Sequence, residues 1–259
     1  MNKQERREMI LELLRRFGTM GVGDLAERLS VTEATIRNDF KALFSSKLIN
    51  RVYGGASAVL KNSHEESLRE KENHNLAEKT SIGKLAASLI DDHETIMLDS
   101  GTTTNMVAQY LVNHNDLTVI TNGLNVLNTM INMQNINLYT VGGQVWHRSY
   151  AIIGPETETD LERYNARTCI VSVDGVCLER GLTNNVLFEA KTTSCLIRRA
   201  ERTILVSDNS KIGKICMIPI CAMSSVDIFV TDDKTPKVFL QALEDMGIKV
   251  YVAASNENK

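Results

Sequence analysis

The chain has 259 residues, 43% of them hydrophobic and 24% charged, with a formal net charge of −3. That composition suits one small and one medium domain, each with its own core, and excludes a disordered or fibrous chain. No apolar run approaches membrane-spanning length, and Met1-Asn2-Lys3-Gln4-Glu5-Arg6-Arg7 leads into an amphipathic helix rather than a signal core, so a cytoplasmic address and no membrane partner are expected. The five cysteines contain no C-x-x-C pair and the five histidines show no ligand spacing, so reduced thiols, no metal and no cofactor are expected.

The first 60 residues hold ten Lys and Arg against seven Asp and Glu, although the whole chain is negative. A mildly basic module on an acidic body places a nucleic-acid partner at the N-terminal end. Ile10, Leu13, Leu14 and Phe17 make one apolar helical stripe, and Val22, Leu25, Ala26 and Leu29 a second. Ser30-Val31 then leaves only a tight turn before a third helix through residues 31–43, with Thr32 as its N-cap and Ile36, Phe40 and Leu43 on one face. Its opposite face carries Ala34, Arg37, Asn38 and Lys41, residue types suited to a close approach, base-edge reading and phosphate contact. Residues 48–53 read as a strand ending at Gly54-Gly55, which completes a winged helix-turn-helix. The DNA-binding residues expected from this reading are Thr32, Ala34, Thr35, Arg37, Asn38 and Lys41, with Arg51 and Tyr53 from the wing. Domain boundaries fall at 1–57 for this module, 58–77 for a polar, solvated linker and 78–259 for an effector-sensing and oligomerisation domain.

From Glu78 onward helices alternate with β-branched strands at 95–98, 117–120, 136–141, 169–173, 203–206, 228–231 and 249–252. The alternation predicts an α/β fold with a doubly wound, mostly parallel sheet, whose ligands sit outside the carboxyl ends of the strands. The residues that follow those strands form a chemical set: Asp99-Ser100-Gly101-Thr102-Thr103-Thr104, Thr121-Asn122-Gly123, Gly142-Gly143, Asp174-Gly175 and Asp208-Asn209-Ser210-Lys211. Gly101 and the threonines open a helix whose N-terminus can cradle a phosphate, Lys211 can add a positive charge, and Asp99, Asn122 and Asp174 can hold sugar hydroxyls. Effector contacts are therefore expected from Asp99, Ser100, Gly101, Thr102, Thr103, Asn122, Gly142, Gly143, Asp174 and Lys211. Trp146 follows the glycine pair and reads either as a neighbour of the ligand or as an apolar cover for the sheet.

Along nearly its full length the chain resembles the DeoR family of bacterial transcriptional regulators. The resemblance rests on residues 31–37 with Asp39, Leu43, Arg51 and Gly54-Gly55-Ala56, then on 98–103, 119–122, Gly142-Gly143, Asp174-Gly175, Gly181-Leu182-Thr183, Glu189-Ala190 and Asp208 with 210–213. It implies a repressor of a carbohydrate-utilisation operon that binds double-stranded operator DNA as a homodimer or homotetramer and responds to a phosphorylated sugar or polyol, and it adds Glu189 to the expected effector contacts. The chain departs from the family at Asn38, where arginine is usual, and at Phe40, Lys47, Asn50 and Tyr53. The second domain also resembles ribose-5-phosphate isomerase, which raises an enzyme fused to a DNA-binding domain as the alternative. Asp174-Gly175-Val176-Cys177 lacks the second carboxylate of the isomerases' Asp-Gly-x-Asp loop, and Arg180 stands near their lysine position, so no catalytic residue is expected.

Overall fold

The computed structural model describes residues 2–17, 19–46, 48–52, 55–58 and 67–254, the side chains of residues 15–17, 19, 50–52, 57 and 58 excepted. Helix α1 (Lys3–Phe17) leads to a short strand β1 (Thr19–Gly21), then α2 (Val22–Arg28) and α3 (Glu33–Ser45), followed by β2 (Ile49–Val52) and β3 (Gly55–Ala58). The three strands form an antiparallel sheet in the order β1-β3-β2, so the single strand read from the sequence at 48–53 is joined by two more, β3 after the glycine pair and β1 between α1 and α2. The three residues of β1, one of them a glycine, carry too little pattern to read as a strand. Gly55 is required where the central strand β3 lies against β1, because a Cβ there would lie 2.1 Å from the Met20 carbonyl. Ile10, Leu14, Leu25, Ile36, Phe40 and Leu43 share one buried core, as the helical spacing predicts.

The stretch read as a polar linker, with room for some helix, is helical over most of its described part. Helix α4 (Leu68–Asn73) and helix α5 (Leu76–Ala87) fill it. Ser67 caps α4 by accepting from the Glu70 amide while the Glu70 carboxylate accepts from the Ser67 amide, and Leu68 is buried. Charged residues at 69–73 mask this from a composition-based reading.

The larger domain then runs β4 (Thr95–Leu98), α6 (Thr102–Tyr110), β5 (Leu117–Thr121), α7 (Leu124–Met130), β6 (Ile136–Thr140), β7 (Gln144–Trp146), β8 (Ala151–Ile153), α8 (Pro155–Leu161), β9 (Ala166–Val171), β10 (Gly175–Cys177), β11 (Gly181–Asn184), α9 (Leu187–Arg198), β12 (Ala200–Val206), β13 (Ile218–Cys221), β14 (Ile228–Asp232), α10 (Lys237–Asp245) and β15 (Lys249–Ala253). Seven strands pair in parallel in the order β15-β14-β12-β9-β4-β5-β6. Side chains alternate between the faces: Met97, Cys169, Leu205 and Phe229 pack with α8, α9 and α10, whereas Ile96, Leu98, Ile170, Ile204 and Val230 pack with α5, α6 and α7. At Gly83 helix α5 comes so close to α6 that a Cβ would lie 2.6 Å from that of Met106. Two antiparallel additions, β10-β11-β13 and the hairpin β7-β8, stand outside the main sheet.

Candidate functional site

Strand order reverses between β4 and β9. Winding proceeds from β4 through β5 to β6 in one direction and from β9 through β12 and β14 to β15 in the other. Loops diverge at such a point and leave a crevice at the carboxyl ends of the two central strands. A cleft of about 380 Å3 lies there. Strand β4 delivers Asp99, Ser100 and Gly101 to it, the end of β9 delivers Ser172 and Asp174, and the loop after β12 delivers Ser207, Asp208, Ser210 and Lys211.

Gly101 is the N-cap of α6 with a φ of +147°, and a Cβ on it would lie 2.4 Å from the Ser172 hydroxyl oxygen. A glycine cap has no side chain to bond the first-turn amides, so these remain for an anion beside the hydroxyls of Ser100, Thr102 and Thr103. Four lysines, Lys71, Lys79, Lys211 and Lys214, line the same cleft.

The carboxylates divide into two kinds. Asp174 accepts from Lys71 Nζ at 2.7 Å and from Asn185 Nδ2 at 2.9 Å. Burial pushes its pKa up, but the charges of Lys71 and Lys211 and these hydrogen bonds outweigh burial and hold it below the ordinary value. Asp208 behaves alike: burial is outweighed by bonds from the Ser210 loop and from Asn75, whose Nδ2 donates at 3.0 Å, and by the charge of Lys211. Asp99 is fully enclosed. It accepts from the Thr193 hydroxyl and the Ser100 amide, each at 2.8 Å, yet desolvation dominates, Glu189 adds repulsion, and its pKa rises from 3.8 to about 7. The cleft thus combines two carboxylates held ionised with one that takes up a proton near neutrality, all beside a cationic and amide-rich wall.

Of the effector residues read from sequence, Asp99, Ser100, Gly101, Thr102, Thr103, Asp174, Glu189 and Lys211 line this cleft, and Asn122, Gly142 and Gly143 do not. Asn122 is buried behind it, donating to the Ile152 carbonyl, while its neighbour Gly123 packs against Ser100, where a Cβ would lie 3.0 Å from the Ser100 Cα. Thr121-Asn122-Gly123 therefore supports the Ser100 loop from behind the cleft lining. The Gly142 amide donates to Asp160, and Gly143, with a φ of +139°, leaves room for the Thr157 hydroxyl, so the glycine pair seats α8 on the β7-β8 hairpin. Trp146 lies on that hairpin and is outside the cleft lining. Sequence reading missed Lys71, His74 and Asn75, which come from the supposed linker, Lys79 just beyond it, and Ser149, Ser172, Asn184, Thr193, Ser207 and Lys214. The capping-box pattern Ser67-Leu68-Arg69-Glu70 was the available signal for the first group.

In the N-terminal domain Thr32 caps α3, its hydroxyl oxygen accepting from the Thr35 amide at 3.3 Å. Thr32, Ala34, Arg37, Asn38 and Lys41 are exposed and Thr35 is half-buried; Arg37 pairs with Glu33 one turn back at 2.7 Å. Asp39 is buried on the inner side and accepts from Arg6 at 2.6 Å and Arg7 at 2.9 Å, which fastens α1 across α3. Arg51 lies in β2, and its side chain, like Tyr53 as a whole, falls outside the described residues. Among the described residues no three His, Cys, Asp or Glu are grouped to hold a metal ion, and no helix is long and apolar enough to cross a membrane.

Comparison with known proteins assigns both ends. A family model described as a DeoR-like helix-turn-helix domain matches residues 6–62, and one described as the DeoR C terminal sensor domain matches residues 74–233. The HTH-type transcriptional regulator GolR of Listeria innocua is 31% identical over 96% of this chain and 98% of its own length. The glycerol-3-phosphate regulon repressor of Escherichia coli is 30% identical over 96% of this chain and 99% of its own. Among solved structures, ribose 5-phosphate isomerase A of Methanocaldococcus jannaschii aligns with 51% of this chain and 52% of that one, at 18% identity and a TM-score of 0.37, a level that carries no argument about activity.

Proposed function

Starting from the fact that this chain belongs to the DeoR family and is a DNA-binding transcriptional regulator, we propose that it represses a carbohydrate operon through α3 and the wing, and that a phosphorylated sugar or polyol in the cleft releases it. The family and its named relatives are transcriptional regulators, not enzymes. The residues agree with that. Cys177 stands in a buried strand where an isomerase would need its second carboxylate, and Arg180 is exposed and outside the cleft lining.

The observation that carries the effector reading is the pairing of an uncapped helix N-terminus and four lysines with ionised Asp174 and Asp208 in one cleft. A phosphate needs amides and cations; sugar hydroxyls need fixed acceptors. A dianion and a polyol joined in one molecule match both halves. On the DNA side, Asn38 has the amide that can pair bidentately with adenine, whereas Lys41 offers a point charge for a phosphate. Helix-turn-helix proteins read paired half-sites about one helical turn, ~34 Å, apart, which calls for at least a dimer.

The test is the affinity of the full chain for a duplex it selects from a random pool, titrated with phosphorylated sugars and polyols and with their unphosphorylated parents. Release by a phosphorylated compound alone supports the reading; a duplex that stays bound with every one of them contradicts it. Asn38→Ala should relax preference at one base pair, at about 1–3 kcal/mol, while Lys41→Ala weakens all duplexes alike.

A further inference from the structure

Helix α4 is joined to the cleft by side chains that belong to the cleft itself. Lys71, on α4, gives its ammonium to Asp174 at 2.7 Å, and Asn75, at the junction of α4 and α5, gives its amide to Asp208 at 3.0 Å. Asn75 has left-handed backbone at φ +53°, so the break between the two helices is itself held by a cleft carboxylate. Elsewhere α4 is fixed by buried Leu68, whose amide donates to the Arg148 carbonyl at 2.6 Å, and by Lys79, which donates to the Lys71 carbonyl. A six-residue helix has little stability of its own, so these anchors decide whether it stays docked.

We propose that the contacts of Lys71 with Asp174 and of Asn75 with Asp208 are the coupling between the cleft and the DNA-binding domain, and that an effector acts by taking these partners for itself. The inference rests on the effector reading above and adds its transmission. A ligand carrying a phosphate offers Lys71 a stronger anion than Asp174, and its hydroxyls offer Asp174 and Asp208 new donors in place of Lys71 and Asn75. The exchange at Asn75 takes the cleft acceptor from the α4–α5 junction, and the exchange at Lys71 moves that anchor of α4 from the domain's own carboxylate to the ligand, so the docking of α4 changes at its cleft side. Helix α4 begins at residue 68, a few residues beyond the end of the helix-turn-helix match at residue 62, so a change in its docking is imposed on the chain that leads to the operator-reading helix. In this proposal α4 docks on the cleft carboxylates without effector and leaves that docking with it, so that the effector favours one arrangement through named contacts, as coupling between sites requires.

The test needs no effector, because substitution can remove the same contacts. In the full chain, Lys71→Met and Asn75→Ala cut the coupling from the helix side, and Asp174→Asn, close to isosteric, cuts it from the cleft side should either of the others fold poorly. Two quantities are read: hydrogen exchange at the amides of residues 68–73, and affinity for the duplex that the unmodified chain selects from a random pool. The expected result is faster exchange in α4 together with an affinity lowered about fivefold or more. Faster exchange with an unchanged or raised affinity overturns the proposal, making α4 a wall of the cleft and nothing more. Unchanged exchange overturns it as well, since the ion pair then does not hold the helix. An unmodified chain that selects no duplex defeats the regulator reading first and this one with it, which separates the two failures.

Discussion

The face of α3 and the cleft do their chemistry with residues held in opposite ways. On α3 each exposed residue is placed by its own helix: Thr32 bonds Thr35, Arg37 pairs with Glu33, and the apolar stripe beneath fixes which side faces out. In the cleft each group is placed by residues far along the chain, Asp174 by Lys71, Asp208 by Asn75 and Asp99 by Thr193, over separations of 103, 133 and 94 positions. A surface that meets a long, uniform polyanion needs only a rigid helix with the right outward face. A site that recognises a small molecule must converge on it from several directions, and only the tertiary fold supplies those.

The contrast implies that the two regions can be broken separately. Ile36→Ala removes a fully buried side chain from the N-terminal core and should cost about 2–5 kcal/mol there, abolishing duplex binding while a phosphorylated ligand still stabilises the larger domain. Paired DNA-binding and ligand-stabilisation measurements check this; loss of both together would mean that the regions do not fold independently.

The second prediction concerns pH and belongs to the cleft alone. Asp99 has a folded-state pKa of about 7 against 3.8 for the free group, so its contribution to stability is fully present below pH 3.8 and is lost as pH rises through 7. Linkage puts the loss at up to about 4 kcal/mol across that window. Asp174 and Asp208, with lowered pKa values, act in the reverse sense: their contribution is present above the unfolded value and is lost as pH falls through the folded one. Denaturant unfolding of Asp99→Asn between pH 4 and 8 should show the downward slope flattened; a slope that survives would assign it to another group.

The legibility of the two regions follows the same line. Strand positions, the doubly wound sheet and the exposed face of α3 all came from patterns repeating over a few residues, and the structure keeps them, with strand ends moved by up to three residues. Seven of the eight cleft residues that sequence reading found follow a strand end, where a local rule applies, and Glu189, inside α9, came from the family resemblance instead. Lys71 and Asn75 lie on no strand end, and nothing local marks them as partners of Asp174 and Asp208. Asn122, Gly142 and Gly143 follow strands as the rule asks, but β5 and β6 stand away from the point where the winding reverses, and strand order is invisible in a chain read linearly. The short strand β1 carried too little pattern to be seen.

The smallest expected effect sharpens the local side of the comparison. Thr32→Ala removes the cap of α3 and should cost about 1 kcal/mol, whereas Thr32→Ser, which keeps the hydroxyl, should cost much less. Both values follow from chemical denaturation, and neither variant should alter ligand stabilisation of the larger domain.

The most direct test of the central claim is thermal unfolding of the full chain with phosphorylated sugars, polyols and amino sugars, each beside its unphosphorylated form. A ligand at about 100 times its dissociation constant adds ~2.7 kcal/mol, a readily measured rise in melting temperature. The account predicts stabilisation by at least one phosphorylated compound and not by its parent, and loss of that stabilisation in Gly101→Val, whose side chain would collide with Ser172 at the mouth of α6. No shift with any phosphorylated compound, or an equal shift with the parent, would contradict it.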